Sequence, residues 1–383
     1  MMHIAFITPE YPHSFTNSSG GLGTSIKNLA HSLIHQGMEV SIFIYAQDQN
    51  KTFKEKKINF YLIKQKSYKF GGFYFYRKYL QQYINKKVKE KSIDLLEAPD
   101  WTGITAFMKF KCPLVIRLNG SDGYFCHLEN REQKPKNRLF EKRALQAANA
   151  IISVSAFTAK VTSDIFKLEK KITVIHNSLD PNNFMPSTLK VDKNLLLYFG
   201  TIIRKKGVLE LASIFNKVVQ EKPNAKLLLL GKDVVDVFEN KSTLELFITS
   251  LSKEAKSMVE HLQEVSYSEV QNYIASAKVI LLPSFAEALP MTWLEAMSME
   301  KALVTSNVGW APEVMIDGET GFTGDPKDHA SYASKIVKLM NENHLNEQMG
   351  KAARKQVLSK FSTDVVVLQN IEFYRKVILD FKV

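Results

Sequence analysis

The stretch HIAFITPEYPHSFTNSSGGLGTSIKNLAHSLIHQGMEVSIFIYA, residues 3–46, decides the reading of the fold. His3 to Thr8 is a short apolar run, Thr24 to His35 carries Ile26, Leu29, Ala30 and Leu33 at helical spacing, and Glu39 to Ala46 is again strand-like. Strand, helix and strand in this order make a βαβ unit. The alternation recurs at Asp94 to Glu97, Leu114 to Leu118, Ala150 to Ser153 and Ile172 to Ile175, which predicts an α/β domain with a largely parallel sheet.

A polar connector, HNSLDPNNFMPSTLKVDKN (176–194), interrupts this rhythm, and a domain boundary is expected near Ser187. The second half restarts with Leu195 to Phe199 and Lys226 to Leu230, then a helix-rich insert through Lys256. Lys278 to Leu282, a helix from about Pro290 to Met299, and Ala302 to Thr305 follow. The expectation is two Rossmann-like, doubly wound domains, 1–187 and 188–360, facing an interdomain cleft, with an amphipathic helical segment at 361–383. Ligands in such sheets bind beyond the carboxyl ends of the strands.

At 383 residues, each half is long enough to bury its own core. Hydrophobic residues at 45% and only 17 Gly and 12 Pro exclude a collagenous or largely disordered chain. Cys112 and Cys126 lack close Cys or His partners, so neither a zinc site nor a disulfide framework is supported, and both are expected as free thiols in a reducing cytosol. MMHIAFITPEYP does not read as a signal peptide. The densest apolar runs, Leu227 to Leu230 and Val279 to Leu282, fall far short of the ~18 residues a spanning helix needs. The expected location is cytoplasmic.

The net charge is +12, and its position narrows its meaning. Between Lys51 and Lys91, thirteen Lys and Arg stand against Glu55 and Glu90, among eleven aromatics. Aromatic anchors beside cations are the physics of in-plane attachment to an anionic membrane surface. The alternative is a solvated lysine face on a helix whose Tyr79, Tyr83 and Val88 turn inward. Nucleic acid is disfavoured, because no recognised binding module accompanies the patch.

Three segments carry chemistry. The loop ending SSGGLGTS places Gly20, Gly21 and Gly23 before a helix, where backbone N–H groups can approach an anion; a turn with Thr24 or Ser25 as N-cap reads the same residues equally well. It is neither a dinucleotide fingerprint nor a Walker loop, which disfavours an NAD-dependent oxidoreductase. YFGTIIRKKGV places Arg204, Lys205 and Lys206 after a buried strand, where cations can hold a diphosphate. PSFAEALPMTWLEAM (283–297) sets Glu287 just before a helix and Glu295 about two turns on, so that the two carboxylates can face one direction and bind sugar or ribose hydroxyls.

These residues resemble the family 4 glycosyltransferases, retaining enzymes of the GT-B fold. The resemblance runs from His3 to about Tyr374, on GGLG (20–23), AANAIISVS (147–155), VIHNSLD (174–180), GTIIRKKG (200–207), EALPMTWLEAM (287–297) and VGWAPEVMIDGETGF (308–322). It implies that Glu295 holds the ribose of a nucleotide-sugar, and that Glu287 with the backbone of Ala288 and Leu289 holds the donor sugar. It also places Lys206 on the diphosphate, with Gly21 and Gly23 closing over it. The terminal helix is implied to cross back onto the first domain. Where the family often carries Arg after the first glycine of GTIIRKKG, this chain has Thr201, leaving Arg204 as the substitute cation. In RLNGSD, Asn119 stands where many relatives carry histidine, beside Asp122 on the acceptor side, and an amide does not titrate near neutrality.

The implied reaction is transfer of a hexose from a nucleoside-diphosphate sugar, UDP favoured over GDP, to an acceptor hydroxyl in surface polysaccharide or glycolipid assembly. Preorganised charge from Arg204 and Lys206 would stabilise the leaving diphosphate, and Glu287 completes the catalytic set. No metal and no cofactor beyond the co-substrate are expected, in keeping with the absence of a D-x-D tripeptide. The alternative from another class is a non-catalytic sugar-nucleotide-binding subunit, for which Thr201 and Asn119 speak.

Overall fold

A computed structural model of the chain describes residues 2–16, 19–263 and 265–382, with 267 and 268 described by backbone alone. Ser18 of the glycine loop lies outside the described residues. The chain forms two compact units, Met1–Leu179 with Ser362–Val383, and Asp180–Phe361. The division falls before Asp180 rather than near Ser187. Phe184 is the reason: it is buried in the second unit, where its carbonyl accepts from Ser298 Oγ (2.8 Å) and Arg354 Nη1 (3.2 Å).

The N-terminal unit holds β1 (His3–Thr8), β2 (Glu39–Gln47), β3 (Lys51–Glu55), β4 (Ile58–Lys64) and β5 (Leu95–Pro99), followed by β6 (Leu114–Leu118), β7 (Ala150–Ser153) and β8 (Ile172–Val174). They form one sheet in the order β3-β4-β2-β1-β5-β6-β7-β8, parallel throughout except at β3–β4. The central strands β1, β5 and β6 are buried along their whole length, as strands covered on both faces must be.

The β3–β4 hairpin lies inside the basic aromatic stretch and is not among the strands expected from sequence. An edge strand that exposes Lys54 and Glu55 resists pairing with another chain, and in one dimension such a strand reads only as a charge run. The rest of that stretch forms the helix Gly72–Lys91. Its inward face is Tyr76, Leu80, Ile84 and Val88, with Tyr79 and Tyr83 half-buried against the same core, while Lys86, Lys89 and Lys91 face solvent. Only the residues at its start leave large aromatics exposed.

The helix Thr363–Lys382 returns to the N-terminal unit, where Val366, Val367, Ile371, Tyr374, Val377 and Ile378 join the core beside the helix Gly21–His35. Among the described residues, no helix is long and apolar enough to cross a membrane.

The second unit contains β9 (Leu195–Phe199), β10 (Lys226–Leu230), β11 (Val259–Leu262), β12 (Val279–Leu282), β13 (Leu303–Ser306) and β14 (Phe322–Gly324). The sheet is wholly parallel, in the order β11-β10-β9-β12-β13-β14. β11 follows the insert that sequence reads as helical through Lys256. Its pattern is mixed, exposed at Glu260, because it forms the sheet edge.

Candidate functional site

In the second unit the strand order reverses between β9 and β12, so the loops leaving these two strands border the natural binding crevice of that sheet. They carry Lys206 and Glu287. Gly207 has φ +72° and ends the short turn Arg204–Lys206. A Cβ there would lie 2.0 Å from the Pro283 carbonyl oxygen, so a glycine is what lets the two loops touch. The N–H groups of Phe285 (2.8 Å) and Ala286 (3.2 Å) donate to the Lys205 carbonyl and clamp the loops together. Lys206 Nζ then reaches Glu287 Oε1 at 2.7 Å, and Ser284 Oγ donates to the same oxygen at 3.0 Å.

Glu287 therefore sits in the loop, ahead of the helix Met291–Ser298. The expected helical phase between Glu287 and Glu295 does not apply, since only Glu295 is helical. Glu295 is buried, as are Ala288 and Leu289, whereas Thr201 is exposed. Tyr198 Oη donates to the Thr201 carbonyl at 2.7 Å and fixes the backbone that leaves β9.

Arg204, expected as the substitute cation, is engaged by a carboxylate. Its Nε (2.7 Å) and Nη2 (2.9 Å) fork onto the carboxylate of Asp236 in the loop after β10. That fork, with its charge, holds the Asp236 carboxyl below the usual carboxylate range and raises Arg204 further. Sequence reading missed Asp236. The sequence offered only part of its signal, an acid shortly beyond the apolar run Lys226–Leu230.

In the first unit the glycine loop is held from within. The N–H groups of Gly20 (3.0 Å) and Gly23 (2.8 Å) donate to Glu10 Oε1, so a carboxylate of the same unit caps the helix that starts at Gly21, ahead of the expected Thr24 or Ser25 cap. The Gly23 amide thus has a partner other than the expected diphosphate. A Cβ on Gly23 would meet Ser19 Oγ at 2.1 Å, while a Cβ on Gly21 would meet nothing within 4 Å. Packing is tight at Gly23, where a side chain would displace Ser19, and open at Gly21. Asn177 of the VIHNSLD segment accepts from Ser25 Oγ at 2.8 Å and anchors the same helix.

Asn119 lies in the loop after β6, and Asp122 opens the helix Asp122–Leu128 that follows it. The Asn119 N–H donates to Asp100 Oδ1 at 3.0 Å, and Asp122 Oδ2 accepts from Asn137 Nδ2 at 3.0 Å. Asp100 is buried, its Oδ2 has no partner among the described residues, and burial pushes its carboxyl up to about 8. Neighbouring Glu141, also raised by burial, takes the N–H groups of Thr102 (3.2 Å), Asp122 (3.0 Å) and Gly123 (3.1 Å). Two acids unseen in the sequence reading thus shape the segment after β6 from beneath. Cys112 and Cys126 are buried and unbridged.

Residues 19–183 match the family model Glycosyltransferase Family 4, and residues 180–356 match Glycosyl transferases group 1. The chain belongs to the family 4 glycosyltransferases. This glycosyltransferase chain is 28% identical over 246 residues to CapM of Staphylococcus aureus, a capsular polysaccharide biosynthesis glycosyltransferase, across 60% of this chain and 62% of CapM. It therefore spans less than two thirds of that relative. An uncharacterised glycosyltransferase of Methanocaldococcus jannaschii is 24% identical over 98% of both chains. Among solved structures, sucrose-phosphate synthase from Thermosynechococcus elongatus matches with a TM-score of 0.81 at 19% identity, over 99% of this chain and all of that one. HepE from Anabaena in complex with UDP and glucose matches with a TM-score of 0.75 at 16% identity, over 98% and 100%. At such identities the likeness establishes the fold, which is GT-B.

Proposed function

We propose that the protein is a retaining hexosyltransferase that moves a sugar from a nucleoside-diphosphate donor, UDP-linked in preference to GDP-linked, to an acceptor hydroxyl without a metal. The observation that carries this reading is the Lys206–Glu287 contact at the switch point of the second sheet. Lys206 supplies charge to the diphosphate. Glu287, held by Lys206 and Ser284, offers its remaining lone pairs to sugar hydroxyls, and Glu295 takes the ribose.

In the reaction the bond from the anomeric carbon to the diphosphate oxygen breaks and the acceptor oxygen bonds to the same face. The acceptor proton passes to the departing phosphate oxygen. Negative charge grows on the diphosphate, where Lys206 and Arg204 stand in place of a divalent ion. CapM's role in capsule synthesis and the UDP and glucose bound to HepE support a donor and an acceptor of these classes.

The test pairs binding with turnover. UDP-sugars should raise the melting temperature more than GDP-sugars do. Lys206→Ala should lower transfer by at least about 100-fold, and turnover should persist in a chelator. Full turnover in Lys206→Ala would remove this site assignment. Nucleotide-sugar binding with no transfer to any saccharide acceptor would favour the binding-subunit reading instead.

The same reading places the enzyme at the cytoplasmic face of a membrane, working on a lipid-linked saccharide. Tyr68, Phe70, Phe73, Tyr74 and Phe75 are exposed at the start of the helix Gly72–Lys91, with Lys66, Lys69 and Lys78 beside them. Phe70 is 86% exposed, an unusual cost for a soluble surface to carry. Vesicles containing phosphatidylglycerol should sediment the protein, neutral vesicles should not, and Phe70→Ser/Phe75→Ser should remain in the supernatant. Equal partition of wild type and variant would remove the membrane assignment.

A further inference from the structure

We propose that Asp236 is a positioning residue for donor binding: it holds the Arg204 guanidinium so that its unspent donors meet the donor diphosphate beside Lys206. The inference rests on the donor reading given above for Lys206.

The loop after β10 is closed on itself before Arg204 is considered. The Asp236 N–H donates to the Lys241 carbonyl (2.7 Å), and Asp233 accepts from Ser242 Oγ (2.7 Å) and the Leu244 N–H (2.9 Å). A bridge between Ile202 and Asp233 ties this loop to the chain leaving β9. The Asp236 carboxylate itself accepts the N–H groups of Phe238 (3.1 Å) and Glu239 (2.9 Å), and it is almost wholly buried. Its orientation is set by its own turn.

Arg204 is the dependent partner. Its side chain is 37% exposed, against 1% for Asp236, and the fork is its sole side-chain hydrogen bonding among the described residues. Phe238 lies 5.3 Å from the guanidinium and covers it from one side. The fork uses Nε–H and one Nη2–H, which leaves both Nη1 donors and the second Nη2 donor unspent on the edge away from the carboxylate. Arg204 and Lys206 share one short turn, so these donors belong to the loop that carries the proposed diphosphate cation. A long flexible side chain held in this way loses less freedom when it meets a phosphate than an untethered one would.

The test is a double-mutant cycle on the dissociation constant of UDP, and of GDP in parallel, measured by calorimetry on the full chain. Arg204→Met and Asp236→Asn should each weaken binding about tenfold, and the double variant should be no weaker than either single one. Arg204→Lys keeps the charge but cannot fork, so it should bind as poorly as Arg204→Met. That variant also serves if Asp236→Asn does not fold. Full affinity in Arg204→Lys, or additive losses in the cycle, would overturn the positioning role. Unchanged affinity in all Arg204 and Asp236 variants, with binding lost in Lys206→Ala, would overturn it while leaving the donor reading intact. Binding unaffected by Lys206→Ala would bring down the donor reading itself.

Discussion

Arg117→Ala is expected to destabilise the N-terminal unit by about 3–5 kcal/mol, because it leaves a buried carboxylate without its counter-charge. Arg117 in β6 forks onto Glu97 in β5 through Nε–Oε1 (2.7 Å) and Nη2–Oε2 (3.0 Å). The terminal helix closes the network from the other side: Asn370 Oδ1 accepts from Nη2 at 2.5 Å, and Tyr374 Oη donates to Glu97 Oε2 at 2.6 Å. All four residues are buried. The variant should show an earlier urea transition for this unit. The double variant Glu97→Gln/Arg117→Met should recover part of the loss, since it removes the stranded charge together with its partner. A loss below about 1 kcal/mol in the single variant, the scale of a solvated surface pair, would show that water reaches the network.

Asp100→Asn should do the opposite and stabilise the protein, by an amount that grows with pH. In the unfolded chain the Asp100 carboxyl ionises near 3.8, and burial in the folded unit raises it to about 8, with Glu141 pushing the same way. Between these values the folded state retains a proton that the unfolded state has released, so stability falls as pH rises from about 4 to about 8 and then levels off. At pH 7 the cost is on the order of 4 kcal/mol, because each pH step of one between those two values removes about 1.4 kcal/mol. Asparagine copies the neutral acid, keeps an oxygen for the Asn119 N–H, and has no such slope. Urea midpoints at pH 5, 7 and 8.5 should therefore diverge, with the variant's advantage smallest at pH 5. A constant gap across that range would mean that Asp100 is ionised in the folded chain.

Much of the fold was legible one residue at a time. β1, β6, β7, β9 and β10 have the bounds the apolar runs suggest, because strands buried on both faces must be continuously apolar. Of the strands that escaped notice, β3, β11 and β14 lie at edges: β3 and β11 carry lysine or glutamate outward, and β14 is three residues long, while β4 is interior and largely buried but is set inside the basic aromatic stretch. Half-exposed strands lack the uniform burial that makes a run readable. The helix Gly72–Lys91 matches the alternative read in sequence, a lysine face with Tyr79, Tyr83 and Val88 turned inward, and its inward stripe also takes Tyr76, Leu80 and Ile84.

The site was legible by residue type but not by partnership. Lys206 and Glu287 stand 81 positions apart, and their contact depends on Gly207 meeting the Pro283 carbonyl and on the Lys205 clamp. The pairing of Arg204 with Asp236 and the capping of the glycine loop by Glu10 follow from which strands are neighbours, which no spacing reveals.

From its amino-acid order alone, this protein was determined to be two parallel α/β units with a basic turn, a glutamate pair and a glycine loop beyond strand ends. Local hydrophobic period and short motifs suffice for that, because both are properties of neighbours in the chain. Only the tertiary structure decided which carboxylate meets which cation and which acid keeps its proton. Those outcomes depend on distance and burial among residues far apart in sequence, and electrostatic energy depends on both.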